Sequence, residues 1–184
     1  ERGYPCIRGR IEADFDALTC FRAMGNAGLR VKYDENLEVC KQIQVLGANF
    51  ILGYQKTWRI LTVQSRDMYN YCFWNVEPSG RIIVVMWCLR DNDLPVEDGV
   101  TRMVCPLGGY IFTPHADNPN KTTIELIIEA DLQGYIPSYI QSKVIAISAN
   151  SLHLLKELIP GYVKKNKKLL ETPIIEQQND LDKY

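Results

Sequence analysis

Residues 122–131 read Thr122-Thr123-Ile124-Glu125-Leu126-Ile127-Ile128-Glu129-Ala130-Asp131, and this run, with the segment that follows it, decides the fold. The even positions Ile124, Leu126, Ile128 and Ala130 are apolar, whereas Glu125, Glu129 and Asp131 want water, which is the period of a strand with its even face inward. After Pro137 the period changes. Ser138 and Gln141 have the spacing of a capping box, and Ile140, Val144, Ile147, Leu154, Leu155 and Leu158 follow a helical period that runs to Pro160-Gly161. A half-wet strand followed by the longest helix of the chain predicts a helix laid across a sheet.

Upstream, alternating or apolar runs at about 37–46, 49–61, 67–75, 81–89, 99–105 and 109–113 are separated by Gly47, Pro78-Ser79-Gly80, Pro95 to Gly99 and Gly108-Gly109. Short strands at that spacing describe an antiparallel meander. Residues 6–13 alternate in the same way, and Asp14 is placed to cap a helix whose Phe15, Leu18, Phe21 and Met24 form one stripe ending at Gly25 and Gly28. Downstream, Lys164-Lys165-Asn166-Lys167-Lys168 opens a polar tail to Tyr184, which reads as a solvated extension of a domain spanning 1–163.

Composition narrows the function. With 21 Lys and Arg against 22 Asp and Glu, the formal charge of -1 provides no broad field for gathering nucleic acid. The longest apolar run, Ile82 to Leu89, is far short of the roughly twenty residues of a membrane span, and no basic-then-apolar leader opens the chain. The cysteines at 6, 20, 40, 72, 88 and 105 form no CxxC pair and sit in apolar-alternating segments, as reduced core thiols of a cytoplasmic protein would. His115 and His153 form no HExxH or zinc spacing, and the chain has no GxSxG, P-loop or GxGxxG. No metal, cofactor or catalytic activity is expected. Arg66 and Asp67, adjacent on a strand, point to opposite faces and read as a structural turn.

Four segments carry a resemblance. Arg30-Val31-Lys32-Tyr33-Asp34 resembles the R-x-x-W-D segment of START lipid-transfer domains, with Tyr33 in place of Trp. Ser65-Arg66-Asp67 resembles their S-x-R-D turn, Pro95 to Arg102 their P-x-x-x-G-x-x-R, and Asp131 to Pro137 their D-x-x-G-x-x-P before the final helix. The resemblance implies an α+β helix-grip fold, a curved antiparallel sheet wrapped around a long C-terminal helix with an internal apolar cavity for one lipid. It places the family's first helix and opening strand upstream of Glu1. It also implies lipid contacts from Asn70, Cys72, Trp74, Val84, Met86, Cys88, Arg102, Ile124, Leu126 and Ile128 on the sheet and from Ile140, Val144 and Ile147 on the helix.

The departures shape the expected ligand. Gly53 and Cys72 fall where some sterol-binding members carry a buried acid and arginine, and Met86 and Leu126 fall where the ceramide carrier holds an amide and a tyrosine. A phospholipid such as phosphatidylcholine is therefore expected; Trp58, Trp74, Trp87, Tyr54, Tyr71 and Tyr110 lie near the sheet, where core packing is the leading role of each and a ring could also hold a choline by cation–π contact. The implied protein is a monomer, peripheral at membranes, that moves lipid through transient contact with their surfaces and opens between the final helix and the loop 90–99. A lipid-sensing or targeting module of a larger protein and a sterol carrier are the alternatives.

Overall fold

The computed structural model describes residues 6–88 and 94–171. In chain order these form β1 (Cys6–Ala13), α1 (Ala17–Gly25), α2 (Ala27–Tyr33), β2 (Leu37–Gly47), β3 (Phe50–Thr57), β4 (Ser65–Val76), β5 (Ile82–Cys88), β6 (Val100–Arg102), β7 (Val104–Pro114), β8 (Thr122–Asp131), α3 (Ser138–Lys165) and α4 (Lys167–Glu171). The sheet runs β1-β8-β7-β5-β4-β3-β2, antiparallel along that path, with β6 pairing parallel to β4 as a short branch. One antiparallel sheet thus grips the long C-terminal helix. The first residues of the expected gating loop, 90–93, and the tail beyond 171 lie outside the described residues.

Alternation sets which face turns inward. On β8, Ile124 and Leu126 are buried while Ile127 is exposed, and Glu125 meets Arg8 of β1 at 3.2 Å on the outer face. β1 brings its odd positions inward, and there Gly9 matters: a Cβ would lie 2.8 Å from Leu152 Cδ1, so the missing side chain lets α3 approach the strand. Behind that contact lies a solid core of Phe112, Tyr110, Ile124 and Leu126 from the sheet, Cys20 and Ala23 from α1, and Leu152, Leu155 and Ile159 from α3.

Several local expectations change. The first helix is capped by Asp16, not Asp14: its Oδ1 accepts from Thr19 N at 2.9 Å, while the carbonyl of Phe15 accepts from Thr122 Oγ1 at 2.7 Å and keeps the preceding residue out of the helix. The chain then restarts as α2 where Gly28 read as an end, because Asn26 ends α1 and caps α2 through Leu29 N at 2.9 Å. No capping box forms at α3. Pro137 takes the cap position without a side-chain bond, and Gln141 Nε2 donates instead to the Ile136 carbonyl at 2.9 Å. Pro160 does not end this helix. It lacks one hydrogen-bond donor, but Ile159 and Tyr162 on either side are buried against the core and hold the next turn in place. The helix therefore crosses residue 163 into the lysine run, and the Leu170 carbonyl of α4 accepts from Arg22 at 2.6 Å. Cys6 is exposed, unlike the core thiol it was read as.

The recurrent motifs meet in a knot at the start of β4. Arg66 donates from Nε to the Leu132 carbonyl and from Nη2 to that of Gln133, both at 3.0 Å. Asp131 Oδ1 accepts from Gln133 N at 2.9 Å, and Gly134 supplies a positive φ of 73° that turns the chain toward α3. On the other face of β4, Asp67 takes a two-point contact from Arg102, Nε to Oδ1 at 2.7 Å and Nη2 to Oδ2 at 3.2 Å, and Arg102 also reaches the Pro95 carbonyl. The Asp67 side chain is only 1% exposed, so removing its partner strands a buried charge. Arg102→Met is expected to destabilise the fold by about 3 kcal/mol in chemical denaturation; a loss under about 1 kcal/mol would show that the pair is dispensable.

Candidate functional site

The N-terminal half of α3 does not rest on solid core. Between it and the concave sheet lies a cavity of about 390 Å³. Its apolar wall comes from Ile7, Met68, Met86, Met103, Ile128 and Ile136, with Val144 and Ile145 of α3 above. The two halves of the helix thus have different footings. Leu152, Leu155 and Ile159 fill the core, whereas Val144, Ile145 and Ser148 overhang space.

The polar wall is built from α2 and the strands beside it. Arg30 and Asp34, one helical turn apart, are joined by Nη2 to Oδ2 at 3.1 Å, and Arg30 Nη1 donates to Tyr33 Oη at 2.9 Å and to the hydroxyl of Tyr110. Burial opposes the arginine's charge, but Tyr110, Tyr33 and Asp34 outweigh it and hold its pKa above the ordinary value. Burial likewise pushes the Tyr33 hydroxyl up. Asn36 follows, its backbone N–H on Asp34 Oδ1 at 3.3 Å and its Nδ2 donating to the Val144 carbonyl at 3.4 Å and to Ser148 Oγ at 3.1 Å. Gln55 of β3 and Asn70 of β4 complete this wall. Gly53, across from Asn70 in the ladder, makes room for that amide, since a Cβ there would sit 3.3 Å from Asn70 Oδ1.

Of the contact residues expected from sequence, the structure brings Asn70, Met86, Ile128 and Val144 together around this cavity. Trp74, Val84, Ile124 and Leu126 lie in the solid core instead, and Cys72 packs against its edge with its thiol pKa pushed to about 12 by burial. The reason is register: Leu126 pairs with Gly9, the residue on which Leu152 sits, so this part of β8 faces the filled half of α3. Cys88 places its sulfur 3.6 Å from Met68 Sδ, Ile140 lines a small adjoining cleft, Ile147 is half-buried on α3, and Arg102 is engaged by Asp67. Sequence reading missed Arg30, Asp34, Asn36 and Gln55. The available signal was the Arg30–Asp34 spacing, which puts both charges on one side of a helix.

The aromatic residues near the sheet serve packing more than the cavity. Trp74 and Tyr110 belong to the core, Tyr54 packs on Tyr69 at 4.8 Å, Tyr71 and Trp87 pack together with Phe50, and Trp58 is exposed. No described aromatic residue lines the cavity. No described group of Cys, His, Asp and Glu could hold a metal ion, and no described helix is long and apolar enough to cross a membrane.

Comparison with known proteins agrees with this architecture. The START domain model matches residues 21–150. The chain belongs to the START domain family. Steroidogenic acute regulatory-like protein 1 of Caenorhabditis elegans is 25% identical over 114 residues, which are 62% of this START domain chain and 44% of that protein. The chain therefore spans less than half the length of that relative. Among solved structures, human STARD10 has a TM-score of 0.76 at 21% identity, covering 90% of this chain and 67% of that one. Human StAR-related lipid transfer protein 5 has a TM-score of 0.68 at 21% identity, covering 82% and 75%. These structures share the START fold.

The division of α3 can be tested by filling each side in turn. Leu126→Trp, in packed core, is expected to cost about 1–3 kcal/mol in thermal or chemical unfolding. Ile128→Trp, facing the cavity, is expected to keep its melting temperature and lose capture of a fluorescent fatty acyl ligand. Equal capture by this variant and the parent would place the ligand space elsewhere.

Proposed function

We propose that this START domain binds one lipid between its sheet and α3 and carries it between membranes, as a carrier and not a catalyst. The supporting observation is the partly open, largely apolar space between the sheet and the N-terminal half of α3. Binding can compete with a bilayer because each methylene kept from water is worth about 0.8 kcal/mol. At about 390 Å³ the space lies near the lower end of ligand cavities, which run from roughly 300 to 1,000 Å³.

The rim supports membrane contact. Trp58 and Leu61 stand exposed on the β3–β4 connection, Tyr135 and Tyr139 at the entrance to α3, and Trp58 shares a small cleft with Ile136 and Val144 beside the cavity. Trp and Tyr favour the boundary between headgroups and chains. Transfer of a fluorescent lipid between vesicles is expected to accelerate on adding the protein, and Trp58→Ser with Tyr139→Ser is expected to slow it several-fold without lowering the melting temperature. Transfer no faster than the spontaneous rate would sink the carrier reading; parent-like transfer by the double variant would move the membrane face elsewhere.

A further inference from the structure

Sulfur gathers on one wall of the cavity. Met68, Met86, Met103 and Cys105 all line it, and Cys88 stands beside them with its Sγ 3.6 Å from Met68 Sδ. β5 and β7 bring the two cysteines together. Met86 pairs with Gly108, and the same register carried along both strands sets Cys88 level with Pro106, next to Cys105. A register shift between Val104 and Leu107 turns Cys105 to the cavity side, its Sγ 3.4 Å from where a Gly108 Cβ would be. The two thiols are free, buried and hydrogen-bonded to each other. With neighbours about 5 Å apart across a ladder and about 3.4 Å along it, their Cα atoms stand about 6 Å apart, within the range a disulfide spans.

The pair differs from the other buried thiols. Burial holds Cys20 and Cys72 at about 12 and raises Cys40. Cys88 is lowered instead, because the hydrogen bond from Cys105 outweighs burial and the Arg102 guanidinium adds to it, while the Cys105 thiol is pushed up in exchange. A thiolate on Cys88 beside a thiol on Cys105 is the arrangement of a reactive dithiol.

We infer that Cys88 and Cys105 form a redox-active dithiol that reduces a hydroperoxide group on an acyl chain held in the cavity, an inference that rests on the lipid-binding reading above and goes beyond it. Cys105 is the sulfur on the cavity surface, and its proton passes to the Cys88 thiolate across their hydrogen bond. The Cys105 thiolate then attacks the terminal peroxide oxygen: an S–O bond forms, the O–O bond breaks, and the alkoxide leaves with the proton held by Cys88. Cys88, again a thiolate, attacks the Cys105 sulfenic acid; the S–S bond forms and hydroxide departs, taking up a proton from solvent to become water. Two thiols thus supply both electrons, the hydroperoxide becomes an alcohol and water, and the dithiol is spent after one turnover. Hydrogen peroxide meets Cys105 only at its bulk concentration, whereas a bound chain is held against it at a raised effective concentration.

The test uses the whole chain carrying Cys6→Ser, which removes the exposed thiol. Reduced protein is mixed anaerobically, with a chelator present, with equimolar linoleic acid hydroperoxide or with hydrogen peroxide, and binding of a fluorescent fatty acyl ligand is measured on the same sample. The lipid hydroperoxide is expected to yield one hydroxy acid per chain, the loss of two hydrogen masses and a crosslinked Cys88–Cys105 peptide, about tenfold faster or more than hydrogen peroxide at equal concentration. Cys105→Ser is expected to abolish the reaction, and Cys88→Ser to leave a Cys105 sulfenic acid that dimedone traps, with thermal unfolding confirming the fold of each. Ile128→Trp is expected to slow the lipid hydroperoxide and not hydrogen peroxide. Fluorescent-ligand binding without hydroxy acid, a disulfide between other cysteines, equal rates with both peroxides, or a reaction undiminished in Cys105→Ser overturns the inference and leaves the carrier reading intact. Failure of the fluorescent ligand and of linoleic acid to bind removes the carrier reading and the inference with it.

Discussion

Where α3 begins depends on one arginine. Arg66 reaches from β4 to the carbonyls of Leu132 and Gln133, and the turn those carbonyls belong to sets the helix over the sheet. This matters because the first half of α3 cannot be located by packing alone, with a cavity beneath it. Its position is set by the knot before Ser138 and buried Ile140, by the Asn36 bonds to Val144 and Ser148, and by Leu152, Leu155 and Ile159 in the core. A segment over a cavity is held by fewer packed side chains than the core it is attached to, so these specific contacts carry more of its placement.

The second constraint is the burial of charge. Arg30 is tolerated in the wall because Asp34, Tyr33 and Tyr110 engage its guanidinium, and Tyr33 is itself tied to the Met24 carbonyl at 2.8 Å. Without those partners a buried cation costs several kcal/mol. Tyr33 stands where the family has Trp and gains a hydroxyl that joins this network. The ring is buried in the core, and its hydroxyl gives the arginine a neutral acceptor.

These two features mark what the sequence made legible. Period-two alternation is a local property, so β8 and its inward face were readable from Ile124 to Ala130, and the meander followed from its turns. The stripe along α3 was readable too, but an apolar stripe looks the same over a core and over a cavity. What separates Leu126 from Ile128 is that α3 touches β1 at Gly9, a contact between residues 9 and 152 that no local pattern encodes. The polar wall was hidden for a related reason. Asn36 sits in the connection after α2, and Gln55 lies on an otherwise ordinary strand that only the pairing of β2, β3 and β4 brings to the side of Arg30. Pro160 and Asp14 misled because both are strong local signals overruled by tertiary contacts, the burial of Ile159 and Tyr162 in one case and the Thr122 bond to Phe15 in the other.

Asn36 joins the polar wall to the helix above it. Its Nδ2 donates to the Val144 carbonyl and to Ser148 Oγ of α3, so the first half of that helix is held over the cavity by a side chain that follows α2. The residue is buried, and an amide that lost both acceptors there would carry its desolvation cost unpaid, which opposes separation of the helix from the wall. The same connection thus carries Asp34, which balances Arg30, and Asn36, which positions α3, so the charge of the wall and the placement of the helix depend on one short segment.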